Sequence, residues 1–189
     1  MRKWRLDQKG VTLIELLAAL VLLSLVLSLA VSAYNFGMHA FQRTTQRSEL
    51  QDHVRIISHT ITKELRYANE AKLLDSCPST SLKAGYDYIC LSPDGTSIDQ
   101  MQDAGGTHDT WSIVAASLKD SVTYDLEFNI DSGSSSLLNY TIESRNGNQT
   151  FHVETKLSLL NMELLESGAI TTAGSGPYRA IEFAYKELP

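Results

Sequence analysis

The sequence predicts an α+β fold: a long N-terminal helix, transmembrane in its first half and amphipathic in its second, packed on a small antiparallel sheet. Three observations predict it. Val11 to Ala33 is a run of 23 residues, 18 of them apolar, with neither proline nor glycine. Leu50, Val54, Ile57, Ile61, Leu65 and Ala68 then recur at spacings of 4, 3, 4, 4 and 3, which lays them on one helical stripe. Farther on, Val122, Tyr124, Leu126, Phe128 and Ile130 alternate with Thr123, Asp125, Glu127 and Asn129, as in a strand with one dry and one wet face.

Taken in order, the chain opens with a basic leader, residues 1–10. Arg2, Lys3, Arg5 and Lys9 stand there against one acid, Asp7. Unlike a secretory signal, this leader has no apolar core ahead of a cleavage site. The apolar run follows as residues 11–33. At 1.5 Å per residue it spans roughly 34 Å as a helix, enough to cross a ~30 Å hydrocarbon layer. The positive charge ahead of it orients the N-terminus to the cytoplasm and the remainder outside. One ionisable residue lies within the run, Glu15. An unpaired carboxylate in a membrane helix costs a few kcal/mol. Either it pairs with a cation, or it sits close enough to the interface to reach water.

Lys9-Gly10 followed by Val11-Thr12-Leu13-Ile14-Glu15-Leu16-Leu17 resembles the start of the type IV prepilin family, which includes pilins and secretion pseudopilins. The resemblance implies that a prepilin peptidase cuts between Gly10 and Val11 and methylates the new amine on Val11. Val11 departs from the family's usual Phe, Met or Leu. Cleavage would create a positive amine in a low-dielectric setting, where the Glu15 carboxylate needs a cation, and the amine of a neighbouring subunit is a fitting one. Major pilins commonly carry Gly and Pro within the membrane helix. Ser24 and Ser32 stand in those places here, so the pattern resembles minor pilins and J-type pseudopilins more closely. The resemblance further implies a structural subunit of a type IV pilus, type II secretion pseudopilus or competence pseudopilus. Its partners would be other pilin or pseudopilin subunits, the peptidase, an assembly platform protein and membrane lipid. A single-pass surface receptor or adhesin with an unprocessed anchor is the alternative.

Ser24, Ser28 and Ser32 follow at i, i+4 and i+8. Small residues at that spacing let membrane helices approach closely, while the bland alternative is ordinary serines in a membrane helix. They lie about half a turn out of phase with Glu15. Tyr34, Phe36 and Phe41 form an interfacial aromatic cluster, and Gln42 to Arg47 is polar. The amphipathic half covers residues 34–71. One helix is thus predicted from about Thr12 to Ala71, roughly 90 Å long, with Gly37 its weakest point.

Residues 72–189 are predicted to form the globular β-rich head. Asp75 to Gly85 reads as loop, Tyr86 to Leu91 as a strand, Ser92 to Asp109 as a long polar loop, and Thr110 to Ala115 as a strand. Ser121 to Ile130, the segment holding Leu138, Tyr140 and Ile142, and the segment holding Phe151 and Val153 read as an antiparallel meander. Asn146-Gly147 makes its second turn. Leu157 to Leu165 is ambiguous between strand and helix, Gly168 to Pro177 reads as loop, and Ile181, Phe183 and Tyr185 end the chain as a strand.

The formal charge is −6 over 189 residues. The leader holds four of the 16 basic and one of the 22 acidic residues, so the 179 residues beyond it carry −9. That balance argues against nonspecific nucleic-acid binding. Cys77 and Cys90 enclose 12 residues. In an exported domain an even pair reads as a disulfide, with two free buried thiols as the alternative. Asp94, Asp99, Asp103 and Asp109 could ligate calcium. They lack the D-x-[DN]-x-[DN]-G spacing, which favours a solvated acidic loop, so no metal is expected. None of the five histidines (His39, His53, His59, His108, His152) lies in an H-E-x-x-H motif, and neither G-x-S-x-G nor a phosphate-binding glycine loop occurs. The sequence therefore predicts no enzyme and no cofactor.

Overall fold

The computed structural model describes residues 12–78, 82–105, 107–115, 122–131, 134–164 and 169–185. The fold is α+β. Helix α1 covers Leu13–Leu65. Strands β1 (Glu70–Leu74), β2 (Asp87–Leu91), β3 (Ser97–Asp103), β4 (His108–Ala115), β5 (Val122–Ile130), β6 (Leu137–Asn146) and β7 (Gln149–Ser158) follow, then helix α2 (Leu160–Leu164) and strands β8 (Thr171–Ala173) and β9 (Ala180–Ala184). The chain divides into two compact units, residues 1–45 and 46–189.

The first unit contains only the N-terminal part of α1 among the described residues. Thr12 starts the helix, its carbonyl accepting the amides of Glu15 and Leu16 at 3.0 and 3.1 Å. The helix continues without interruption through Gly37, where an added Cβ would meet open space. Serine and threonine hydroxyls along it turn back onto the helix's own carbonyls: Ser24 onto Val21, Ser32 onto Ser28, Thr44 onto Ala40.

The second unit has one core. Leu50, Val54, Ile57, Ile61 and Leu65 of α1 are buried with Ala68 just beyond it. These are the residues of the 4-3-4-4-3 stripe, and each fully buried Leu or Ile contributes on the order of 1.5–3 kcal/mol. They pack against inward-facing residues of two sheets, among them Leu73, Ile89, Leu126, Phe128, Ile142 and Phe183. The three-stranded sheet is the expected antiparallel meander, β5-β6-β7. Its alternation is strict along β5, with Val122, Tyr124, Leu126 and Phe128 buried and the residues between them exposed. A two-residue turn with Gly147 at φ +55° pairs Asn146 with Gln149.

The sheet expected to be small and antiparallel is in fact two sheets. The second has six strands in the order β4-β3-β2-β9-β1-β8, antiparallel except where β8 lies parallel to β1. Three local expectations are corrected with it. The helix stops at Leu65 rather than Ala71, because Asn69 donates its amide to Ala184 (2.9 Å) and Glu70–Leu74 pairs with β9. Ala71 and Leu73 are buried there with period two. The stretch Ser92 to Asp109 is not one loop: it contains β3 and the start of β4, whose polar residues are ordered by ladders to β2 and to each other. Within Gly168 to Pro177 lies the short β8, held by the edge of β1. The ambiguous Leu157 to Leu165 divides, closing β7 at Ser158 and beginning α2 at Leu160.

Two amides of β5 join the sheets. Tyr124 N donates to Gly95 O (2.7 Å), and Phe128 N donates to Tyr178 O (2.8 Å). Gly95 has φ +69°, and a Cβ there would sit 3.2 Å from the Tyr124 carbonyl. A side chain at that turn would be strained by the backbone conformation and crowded by that carbonyl.

Candidate functional site

Gly10 and Val11 lie outside the described residues. Glu15 lies in the first turn of α1 and is exposed. An acidic residue in a first turn is favoured by the partial positive charge of the free amides there. Ser24, Ser28 and Ser32 are exposed on the same helix. With Ser24 Oγ bonded at 2.7 Å and Ser32 Oγ at 2.8 Å to carbonyls of the preceding turn, these two hydroxyls make no polar demand on a neighbour. What remains outward is a small, smooth strip that a second helix can approach. Around it stand Leu20, Leu22, Leu25 and Leu29, each more than half exposed. An 18-residue window of this helix reaches a mean hydropathy of 2.7 with none of it buried. By length and composition this helix is able to cross a membrane.

In the second unit, Cys77 and Cys90 form a disulfide, with Cα atoms 5.2 Å apart. Cys90 is fully buried on β2, so the bridge ties the chain after β1 back onto the six-stranded sheet. A polar cluster that the sequence pattern did not reveal reinforces the same connection. Tyr88 Oη donates to Glu182 Oε2 at 3.0 Å and accepts the Lys83 amide at 2.9 Å. The Tyr86 hydroxyl donates to the Glu70 carboxylate, and Lys83 Nζ lies 3.5 Å from the centre of the Tyr86 ring. Burial, helped by the Glu182 carboxylate, pushes the Tyr88 hydroxyl up to about 12. The only hint in the sequence is a pair of tyrosines bracketing Asp87; the acids that meet them come from β1 and β9, distant in the chain.

The four aspartates of the expected acidic loop are dispersed by the β3–β4 hairpin. Asp94 caps its own turn, accepting from Thr96 N, Ser92 Oγ and Thr96 Oγ1. The Thr96 amide, with those hydroxyls, lowers its pKa. Asp99 accepts from Ser112 Oγ at 2.7 Å, and Asp103 accepts the Gly85 amide at 2.9 Å. Asp109 lies opposite Gln102 in the ladder. Among the described residues no group of three or more His, Cys, Asp or Glu side chains is placed to hold a metal ion.

Polar contacts also fasten α1 to the three-stranded sheet. Tyr140 Oη, buried, meets Ser58 Oγ at 3.0 Å and Thr62 Oγ1 at 2.9 Å. Tyr124 Oη meets His53 Nδ1 at 2.7 Å, and Ser144 Oγ donates to the Leu50 carbonyl at 3.3 Å. Burial raises the Tyr124 hydroxyl to about 12, with Glu49 adding to the shift.

Residues 5–31 match the prokaryotic N-terminal methylation motif. In fold the chain is similar to the PilB minor pilin from Streptococcus sanguinis, with a TM-score of 0.55 at 15% identity over 78% of this chain. It is likewise similar in fold to the D319A mutant of that protein, with a TM-score of 0.50 at 16% identity over 77% of this chain. The chain spans 36% and 35% of the length of those two. No curated protein sequence matches it. The fold is therefore type IV pilin-like, a long apolar N-terminal helix with an α+β head, and it begins with the methylation motif of prepilins.

Proposed function

We propose that this chain is a minor pilin or pseudopilin, a structural subunit of a type IV pilus-like filament rather than an enzyme. The observation that carries this reading is the coincidence of two independent features: the methylation motif over residues 5–31 and a pilin-like fold over 78% of the chain. A prepilin peptidase removes residues 1–10 after Gly10 and methylates Val11. The processed subunit rests in the cytoplasmic membrane, head outside, held by the apolar part of α1. An assembly platform protein then draws it into the filament. There the Glu15 carboxylate neutralises the Val11 amine of an adjacent subunit, and the strip of Ser24, Ser28 and Ser32 lies against another helix. The pairing supplies a charge partner that Glu15 lacks in lipid, where an unpaired carboxylate costs a few kcal/mol.

Processing is tested by the N-terminal mass of the membrane-extracted protein, which should begin at methylated Val11. Gly10→Val should retain the leader, and normal processing of that variant would defeat the cleavage assignment. An intact leader on the native protein would instead favour a surface receptor or adhesin. Glu15→Leu should insert and fold normally yet be lost from co-purified filament subunits, with Glu15→Asp intermediate. Recovery of Glu15→Leu with its partners at wild-type levels would remove the pairing role.

A further inference from the structure

The strands that end the two sheets are β4, β8, β5 and β7. Three of them carry a feature that limits further pairing. β8 is three residues long. β4 shifts register with β3 between Ile98 and Asp99, and such an irregularity twists an edge away from a partner. β5 is bonded through two of its amides to Gly95 and Tyr178. β7 differs from all three. It keeps register with β6 over ten consecutive pairs and contains no proline. Lysine is a common guard of such edges. The one lysine of β7, Lys156, instead turns back over the sheet to Asp131 at the end of β5, at 2.9 Å.

The turn before β7 fixes which main-chain groups face outward. Asn146 and Gln149 close a two-residue hairpin, so that pair and every second pair after it exchange bonds across the ladder. Phe151, Val153 and Thr155 therefore bond to β6. Thr150, His152, Glu154 and Lys156 direct their amides and carbonyls to the open side. On that side a groove of about 630 Å³ runs between β7 and α1, wholly within residues 46–189. Its floor is Val54, Phe151 and Val153. Its helical wall is Gln51, Arg55, Ser58, His59 and Thr62. Arg55 and His59 give that wall its basic character, and no carboxylate joins them in the lining among the described residues. The inward residues Phe151, Val153 and Thr155 are only half-buried, whereas those of β5 are buried.

We propose that β7 accepts an extended segment of another protein as a fourth strand, with inward side chains that are apolar against Phe151 and Val153 and acidic beside Arg55 and His59. A strand added there lies about 4.8 Å beyond β7, so its inward side chains enter the groove. Main-chain bonds to His152 and Glu154 supply affinity, and the groove supplies selectivity. A second copy of β7 would bring Phe151, Val153 and Thr155 inward and no carboxylate, which leaves Arg55 unmatched.

The probe is an acetylated, amidated peptide, Thr-Val-Thr-Val-Thr-Glu-Thr, together with its reverse, because either strand direction satisfies the edge. Binding to the full-length chain in detergent is followed by anisotropy of a fluorescent label. One of the two should bind, and the same peptide with Lys in place of Glu should bind about tenfold more weakly. Arg55→Glu should invert that preference. Amide exchange at His152 and Glu154 should slow about tenfold in the complex, while Phe151 and Val153, already bonded to β6, stay unchanged. His152→Pro removes one outward donor at a place where an edge strand tolerates proline. It should keep the denaturant midpoint of the head and lose peptide binding. Failure of both peptides to bind at about 1 mM overturns the proposal. Binding that survives His152→Pro without slowed exchange also overturns it, since the groove then holds a ligand that is not a strand. Self-association of the peptide-free chain that His152→Pro abolishes would assign the edge to a second copy, against the proposal.

Discussion

In the first unit every described residue of α1 is exposed, Leu and Val included; in the second, five residues of the same helix have at most 1% exposure. Composition and arrangement both differ: 18 of the 23 residues from Val11 to Ala33 are apolar, against six of the 16 from Leu50 to Leu65. Before Ala33 apolar residues fill all faces, which suits a surrounding of lipid or other helices. From Leu50 onward all of those in α1 except the exposed Ile56 keep to one stripe, which suits one sheet-bearing head. A helix with two such parts has two independent sources of stability, and substitutions should sort accordingly.

The largest separation is expected in the apolar positions. Ile61→Ala should cost the head about 2–5 kcal/mol, because Ile61 is fully buried and its removal leaves a cavity. Leu22→Ala, at 64% exposure, should leave head stability within about 0.5 kcal/mol. Denaturant unfolding of the two variants in detergent compares them, and equal losses would erase the distinction between the units. Next comes the disulfide. Cys77→Ser should destabilise the head by about 3 kcal/mol, the loop-closure entropy of a short bridged loop. The unfolding midpoint of wild type should fall to match on reduction. Tyr140→Phe should cost about 1–2 kcal/mol, since it removes the hydroxyl that Ser58 and Thr62 share at the sheet. The smallest effect is a pH dependence confined to the head. Tyr88 and Tyr124 are raised from 10.0 to about 12, so the unfolded chain loses those protons first. Their contribution is complete below about pH 10 and declines as pH rises toward 12. Tyr124→Phe should flatten that decline, measured as the denaturant midpoint between about pH 9 and 12, without altering membrane extraction.

The sequence alone determined what depends on local periodicity and composition. The apolar run, the buried stripe from Leu50 to Ala68 and the β5–β7 meander are visible because each residue's neighbour on a face lies two to four positions away. The prepilin resemblance was likewise local, carried by Lys9 to Leu17. Tertiary structure decided what depends on pairing between distant segments. β3 is a strand because β2 and β4 flank it, although its residues are as polar as a loop's. β8 exists because β1 offers an edge, and the helix ends at Leu65 because β9 captures Glu70 to Leu74. The aspartates from Asp94 to Asp109 are dispersed for the same reason, three of them into separate side-chain contacts.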